Sequence, residues 1–552
     1  MHTKERLSYG WAAHLLTTSM GFVALIWFLI RVIPKPSRAS YPCQRAAFPL
    51  ASAFVLWLCS LSGFFSLVAI RRFVRRYTWL PASAITFALV VAGAWFYHAN
   101  QAQAAGRAAL WNYIPQHRNQ PLGVARGIFP GRVIWVRDSK AAHWSGDLNS
   151  LTDQWWMDVN NDQTRIDAMM STTLQQLTGS KTDEEAWQKI FTYHNARVRG
   201  AQHRGYQNDE TIAVKINLNN STATGIQNYV NASPQVTLAI VRQLVLHAHV
   251  PPSKIIVYDA RRNIYPQLLT KIWIDFKDVR FVQSSDPQDG QPVNPGYGNY
   301  HGLEKADWVE GIEYSANSYR NARMIPRQIK GATYLINLAL LKAHSYPWAA
   351  AEGGDEGQTA VTLTGKNHFG SILGTSELHG AINTNRDGTA HAYSPSVDLA
   401  SSPDLGDKTI LYMLDALYCG RRHQSYPVHF PNPPFNNRVE PYANQEWPSS
   451  LLASLDGVAI DSVGIDILYS QSQNNLDKEN HPRILLRENA DDYLMEEADP
   501  EHAPSGIVYK QRGKAIESQG VFEHWDSDVT RQYSRNKDPK YGKGIELIFL
   551  AK

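Results

Sequence analysis

Between residues 335 and 372 the sequence LINLALLKAHSYPWAAAEGGDEGQTAVTLTGKNHFGSI carries Lys342 and His344, then Glu352, Asp355 and Glu356 in a glycine-rich stretch, then Thr362, Lys366, Asn367 and His368. Amines neutralise phosphate or carboxylate oxygens, and an imidazole moves protons near neutral pH. The apolar run before Lys342 reads as a buried strand. In an open α/β sheet ligands bind at the carboxyl ends of strands, because strand ends and helix starts there direct backbone N–H groups and side chains into one crevice. Lys342 and His344 lie two apart and so share one side of the strand. The glycine-rich stretch gives the chain room to bring Lys366 back, so that the three converge on one anionic ligand. A plainer alternative has Lys342 and His344 ending a strand in solvent and Lys366 and Asn367 closing a helix end.

Further polar residues stand where strands should end. In TIAVKINLN, residues 211–219, Val214, Ile216 and Leu218 alternate with Lys215, Asn217 and Asn219, which describes either an edge strand with a wet face or a polar row lining a crevice. Asp259 follows the apolar KIIVY and suits a ligand role and a turn equally. Asp461 falls with Val458, Ile465 and Leu468 on one face of a helix, and a carboxylate directed among apolar groups needs a cation or donors. Asp456 reads as the cap of that helix. Asp415, amid apolar residues in TILYMLDALYC, reads as a paired or capping carboxylate.

The elements that must position these groups follow from periodicity. A strand over 131–138, helices over 234–249 and 266–276, and strands over 254–259 and 279–283 give the β-α-β alternation of a mostly parallel sheet. Asp158, Asn160 and Asp162 imitate a calcium loop, but Gln163 and Met169 occupy its glycine and glutamate positions. Asp162 capping a helix over 163–177 accounts for the same residues. The fold class expected is α/β, a mostly parallel or mixed sheet flanked by helices and preceded by three transmembrane helices. The organisation expected is an anchor over 1–100, a linker over 101–126 and a soluble α/β domain over 127–552.

The segments KINLN (215–219), KAH (342–344), VTLTGKNHFG (361–370) and SLDGVAIDSVGIDIL (454–468) resemble the signature segments of domain-of-unknown-function family 362. GRVIWVRD and WWMDVNNDQ resemble the opening of its membrane-anchored or exported members. The resemblance runs from about residue 127 to the C-terminal region and implies an α/β domain with a ligand site, without assigning a reaction. Some members carry ferredoxin-like cysteine clusters. This chain has 3 cysteines, two of them in or beside the apolar N-terminal region, so no iron–sulfur cluster, disulfide framework or thiolate zinc site is expected.

Residues 11–33, 46–70 and 79–98 are apolar runs of the length that crosses a bilayer. Arg71, Arg72, Arg75 and Arg76 between the second and third place that loop in the cytoplasm, hence the N-terminus inside and the domain outside, periplasmic in a Gram-negative cell. Arg31, Lys35, Arg38 and Arg45 pull the other way. A net charge of +4 spread over 552 residues gives no nucleic-acid footprint. Two classes of function remain. One is an extracytoplasmic enzyme acting on an anionic small molecule or envelope precursor. Lys215, Lys342 and Lys366 would bind its anion, His344 would be general acid/base, and Asp461 would orient a base or hold a divalent metal, with Asn217, Asp259, Thr362 and Asn367 completing the site. The other is a membrane-tethered binding or assembly protein that uses the same crevice without chemistry. Mg²⁺, Mn²⁺ or Zn²⁺ would suit these ligands, but no spacing is diagnostic.

Overall fold

Residues Tyr334–Ala343 form a strand buried at every position, and the sheet is laid out on either side of it. The computed structural model describes residues 26–27, 115–148, 150, 152–218, 229–284, 302–316, 322–344, 361–374, 378, 393–421, 425–436, 446–472 and 490–552. The three apolar runs lie outside these apart from Ile26 and Trp27, as do Glu352, Asp355 and Glu356. Among the described residues no helix is long and apolar enough to cross a membrane. Two compact units divide the chain, one of residues 1–109 with 348–355, the other of 110–347 with 356–552, and the second holds the sheet.

Among the described residues nine strands lie side by side in this unit. In chain order they are β1 (Arg132–Arg137), β2 (Ile212–Lys215), β3 (Ile255–Tyr258), β4 (Arg280–Gln283) and β5 (Leu303–Lys305), then β6 (Tyr334–Ala343), β7 (Thr409–Gly420), β8 (Ser450–Ser454) and β9 (Glu546–Ala551). Their order across the sheet is β9-β1-β8-β7-β6-β2-β3-β4-β5. Only β8 runs antiparallel to its neighbours; every other adjacent pair is parallel. Two short strands attach at the margin: Val361–Thr362 folds back antiparallel on the end of β6, and Pro427–Val428 on the end of β7.

From β2 the chain steps outward to β5, then returns to lay β6 on the opposite side of β2. The direction of winding therefore reverses between β2 and β6, the topological position at which open α/β sheets hold ligands. An edge position for residues 211–219 is thereby excluded, since β2 is paired on both sides. The strand is also shorter than the alternation suggests. It stops at Lys215, and Ile216 and Leu218 continue buried beyond it.

Helices cover both faces. α1 (Gln163–Thr178), α2 (Asp183–Arg199), α3 (Pro234–Arg242) and α4 (Pro266–Asp275) share one apolar cluster with Ile134, Val214, Ile336 and Met413 of the sheet. On the other face α6 (Gly457–Ser472) and α7 (Asp492–Ala498) pack with Val133, Ala339 and Leu414, while the short α5 (Thr364–Asn367) lies against β6. The caps are those the sequence supplies. Asp162 accepts from the Arg165 amide at the start of α1, and Asp456 from the Ala459 amide at the start of α6. Each such cap contributes about 1 kcal/mol. Asp415 accepts from the amides of Ser233 and Leu417, so it is a capping carboxylate that fixes the entry to α3. Gly464 of α6 admits Leu363 and Leu414, whose methyls would lie 3.0 and 3.1 Å from an added Cβ.

Candidate functional site

The site is built around α5, a helix too short to hold itself. Leu363 precedes it and offers no side-chain oxygen to the exposed amides of its first turn. Asp461 supplies that oxygen from α6. Its Oδ1 accepts from the Thr364 amide at 2.8 Å and the Thr364 hydroxyl at 2.7 Å, and its Oδ2 from the Gly365 amide and the Tyr493 hydroxyl, each at 2.9 Å. Burial raises the Asp461 carboxyl to about 6, and these donors hold it from going higher. The sequence expectation that this carboxylate needs donors is met. Among the described residues its hydrogen bonds go to α5 and α7, so it positions the helix that carries Lys366 and Asn367.

Two polar clusters flank α5. The first lies on the face of the sheet that α5 covers. Lys215 Nζ donates to Asp259 Oδ2 and Asn367 Oδ1, both at 3.1 Å, and to the Ile216 carbonyl at 2.6 Å. Lys215 and Asn337 are partners in register across β2 and β6. Asn367 donates to Asn337 Oδ1 at 2.8 Å, and Asn337 donates to the Thr364 carbonyl at 2.9 Å and to His368 Nε2 at 3.1 Å. The His368 ring accepts at Nε2 and so carries its proton on Nδ1; burial, then the Lys215 charge, holds it at about 3, a neutral imidazole. Asp259 also accepts from the Leu218 and Arg261 amides. Asn217 reaches Asn367 at 3.3 Å, leaving its own Oδ1 without a partner among the described residues. The cluster is a charge-compensated joint tying β2, β3, β6 and α5.

The second cluster sits at the end of β6. Lys342 and His344 differ from Asn337 by odd numbers of residues, so the strand period turns them to the other side. Lys342 Nζ lies 3.3 Å from His344 Nδ1, the Thr362 hydroxyl lies 2.5 Å from that same nitrogen, and Lys366 Nζ lies 3.1 Å from Nε2. Thr362 comes to this place because Val361–Thr362 pairs with β6 in the register Thr362 to Lys342. Lys342 is 0% exposed, His344 4% and Lys366 8%, so all three are buried. Among the described residues no carboxylate stands within ion-pair distance of Lys342. Burial pushes its amine down to about 7, and pushes Lys366 well below its ordinary value with further help from the charges of Lys342 and Arg262.

Of the residues singled out in the sequence, Lys342, His344, Thr362 and Lys366 converge on one imidazole. Lys215, Asn217, Asp259 and Asn367 form the separate joint beside it, and Asp461 holds the helix between them. His368, also noted in the sequence, belongs to that joint, and Asn337 and Tyr493 are additional members. A lone asparagine within LINLALL was the sequence signal for Asn337, since a buried amide in an apolar strand needs partners. Nothing in the sequence pointed to Tyr493. Among the described residues no group of three or more His, Cys, Asp or Glu side chains converges as a metal-ligand set. No family model, curated protein or solved structure matches the chain.

Proposed function

We propose that the Lys342, His344, Thr362 and Lys366 cluster captures a small phosphate- or carboxylate-bearing molecule and acts on it, with His344 moving the proton. The observation that carries this reading is Lys342: wholly buried, without an ion pair among the described residues, and sharing one imidazole with a second lysine. A buried ammonium is costly unless an opposite charge meets it, and an arriving anion meets that need. Thr362 adds a hydroxyl donor, and the cluster lies at the carboxyl end of β6, the end of a strand at which α/β sheets hold ligands. In the same reading the three apolar N-terminal runs anchor the chain, and the arginine-rich turn at 71–76 sets the domain outside the cytoplasm. Phosphatase and fluorescent-protein fusions at the C-terminus test that placement; fluorescence without phosphatase activity overturns it.

Titration calorimetry of the detergent-purified chain with inorganic phosphate and with acetate tests the capture. Each charge-assisted hydrogen bond contributes about 1.5–3 kcal/mol, so Lys342→Met or Lys366→Met should weaken binding roughly ten- to a hundredfold. Unchanged affinity in both variants, or no binding of either anion, overturns the reading.

A further inference from the structure

Three features set Lys342 apart from an ordinary anion-binding lysine. Its stem is held rigidly: β7 bulges between Asp415 and Gly420 to bring Gly420 into register with Lys342, and a Cβ on Gly420 would fall 2.5 Å from Lys342 Cγ. It is 0% exposed, against 8% for Lys366. It also faces a proton carrier directly, with His344 Nδ1 at 3.3 Å and the Thr362 hydroxyl on that same nitrogen. A rigid buried amine next to a second cationic group and a base is the arrangement that activates a lysine as a nucleophile towards carbonyl carbon.

We propose that Lys342 forms an imine with a small anionic aldehyde or ketone, of which a 2-oxo acid is the simplest class, while Lys366 holds the anionic group. This rests on the capture of anions by the same cluster. The division of labour follows from depth and charge. An anionic group held by Lys366 favours the ammonium form of that amine. That ammonium then opposes protonation of Lys342 by like-charge repulsion and leaves the Lys342 lone pair available. Burial alone already holds Lys342 at about 7.

The step balances within the cluster. The Nζ lone pair forms the C–N bond as the carbonyl π pair moves to oxygen. His344 accepts a proton from Nζ and gives it to that oxygen, which becomes the carbinolamine hydroxyl. A second Nζ proton travels the same way as the C–O bond breaks, releasing one water and leaving C=N. No oxidant or reductant is consumed.

Reductive trapping of the full-length detergent-purified protein tests the proposal. Pyruvate with cyanoborohydride at pH 7.5 should give one secondary amine per chain, located on Lys342 by peptide mass spectrometry and absent from Lys342→Arg. Lys366→Met should need at least tenfold more pyruvate for half-maximal trapping. Labelling should rise through pH 7 as Lys342 loses its proton, well below the range in which exposed lysines react. The wild-type peptide map locates the adduct without any variant. Pyruvate that binds calorimetrically but leaves no adduct on Lys342, or labels spread over other lysines, overturns the imine while anion capture stands. If neither pyruvate nor phosphate binds, both fail.

Discussion

Lys215 and Lys342 close two neighbouring parallel strands, and both are buried without measurable exposure. Their surroundings are opposite. Lys215 meets a carboxylate, an amide oxygen and a carbonyl within 3.1 Å. Lys342 meets an imidazole nitrogen at 3.3 Å, the Ala343 carbonyl at 3.4 Å and no carboxylate among the described residues. A buried ammonium that is paired inside the protein belongs to the fold, and removing it leaves its partner charge stranded. One that is left without a counter-charge costs stability wherever it is charged. Strain kept at one place and satisfied elsewhere marks sites of function.

The widest separation between the two lysines should appear in stability. Lys215→Met leaves Asp259 uncompensated in the joint and should cost about 3–5 kcal/mol in urea unfolding at neutral pH. Lys342→Met removes an uncompensated amine and should be neutral or stabilising, while losing anion binding. Equal losses in the two variants would break the comparison.

Asp461→Asn sharpens it at the helix between the clusters. Asparagine retains one acceptor oxygen of the two that serve Thr364, Gly365 and Tyr493, so a loss of about 1–3 kcal/mol is expected. Because α5 carries both Lys366 and Asn367, phosphate affinity per folded molecule should fall as well. Intact affinity in a destabilised variant would separate α5 from the site.

The smallest effect is a slope. The Lys342 amine is held at about 7 against an ordinary value of 10.5. In that interval the unfolded chain binds a proton that the folded chain does not, so stability rises with pH. The penalty is complete below about 7 and gone above 10.5. Unfolding free energy should climb by about 1.4 kcal/mol per pH unit from this group, and Lys342→Met should remove that component of the slope. An unaltered slope would show that Lys342 titrates as an exposed lysine.

Much of the scaffold was legible in the linear pattern. The run LINLALLKA became the buried strand Tyr334–Ala343, the span 266–276 became the helix Pro266–Asp275, and Asp162 and Asp456 cap the helices they were expected to cap. Side-chain period, β-branched content and local caps act over a few residues, and a single chain displays them directly. The pairing of Lys342 with His344 was legible for the same reason, since residues two apart on a strand share a side.

What the sequence could not fix was which strand would lie beside which. KINLN and KAH look alike as strand ends with a lysine, yet the return of the chain across the sheet sets Lys215 against Asn337, deep on one side, and turns Lys342 to the other. Asp259 becomes the partner of Lys215 because β3 pairs beside β2, and Asp461 becomes the cap of α5 because α6 packs over it. Compensation of a buried charge depends on groups distant in the chain, brought within about 3 Å by packing. The residue types and local spacing were set by the sequence; which lysine met a carboxylate and which an imidazole was decided only by how the strands paired and the helices packed.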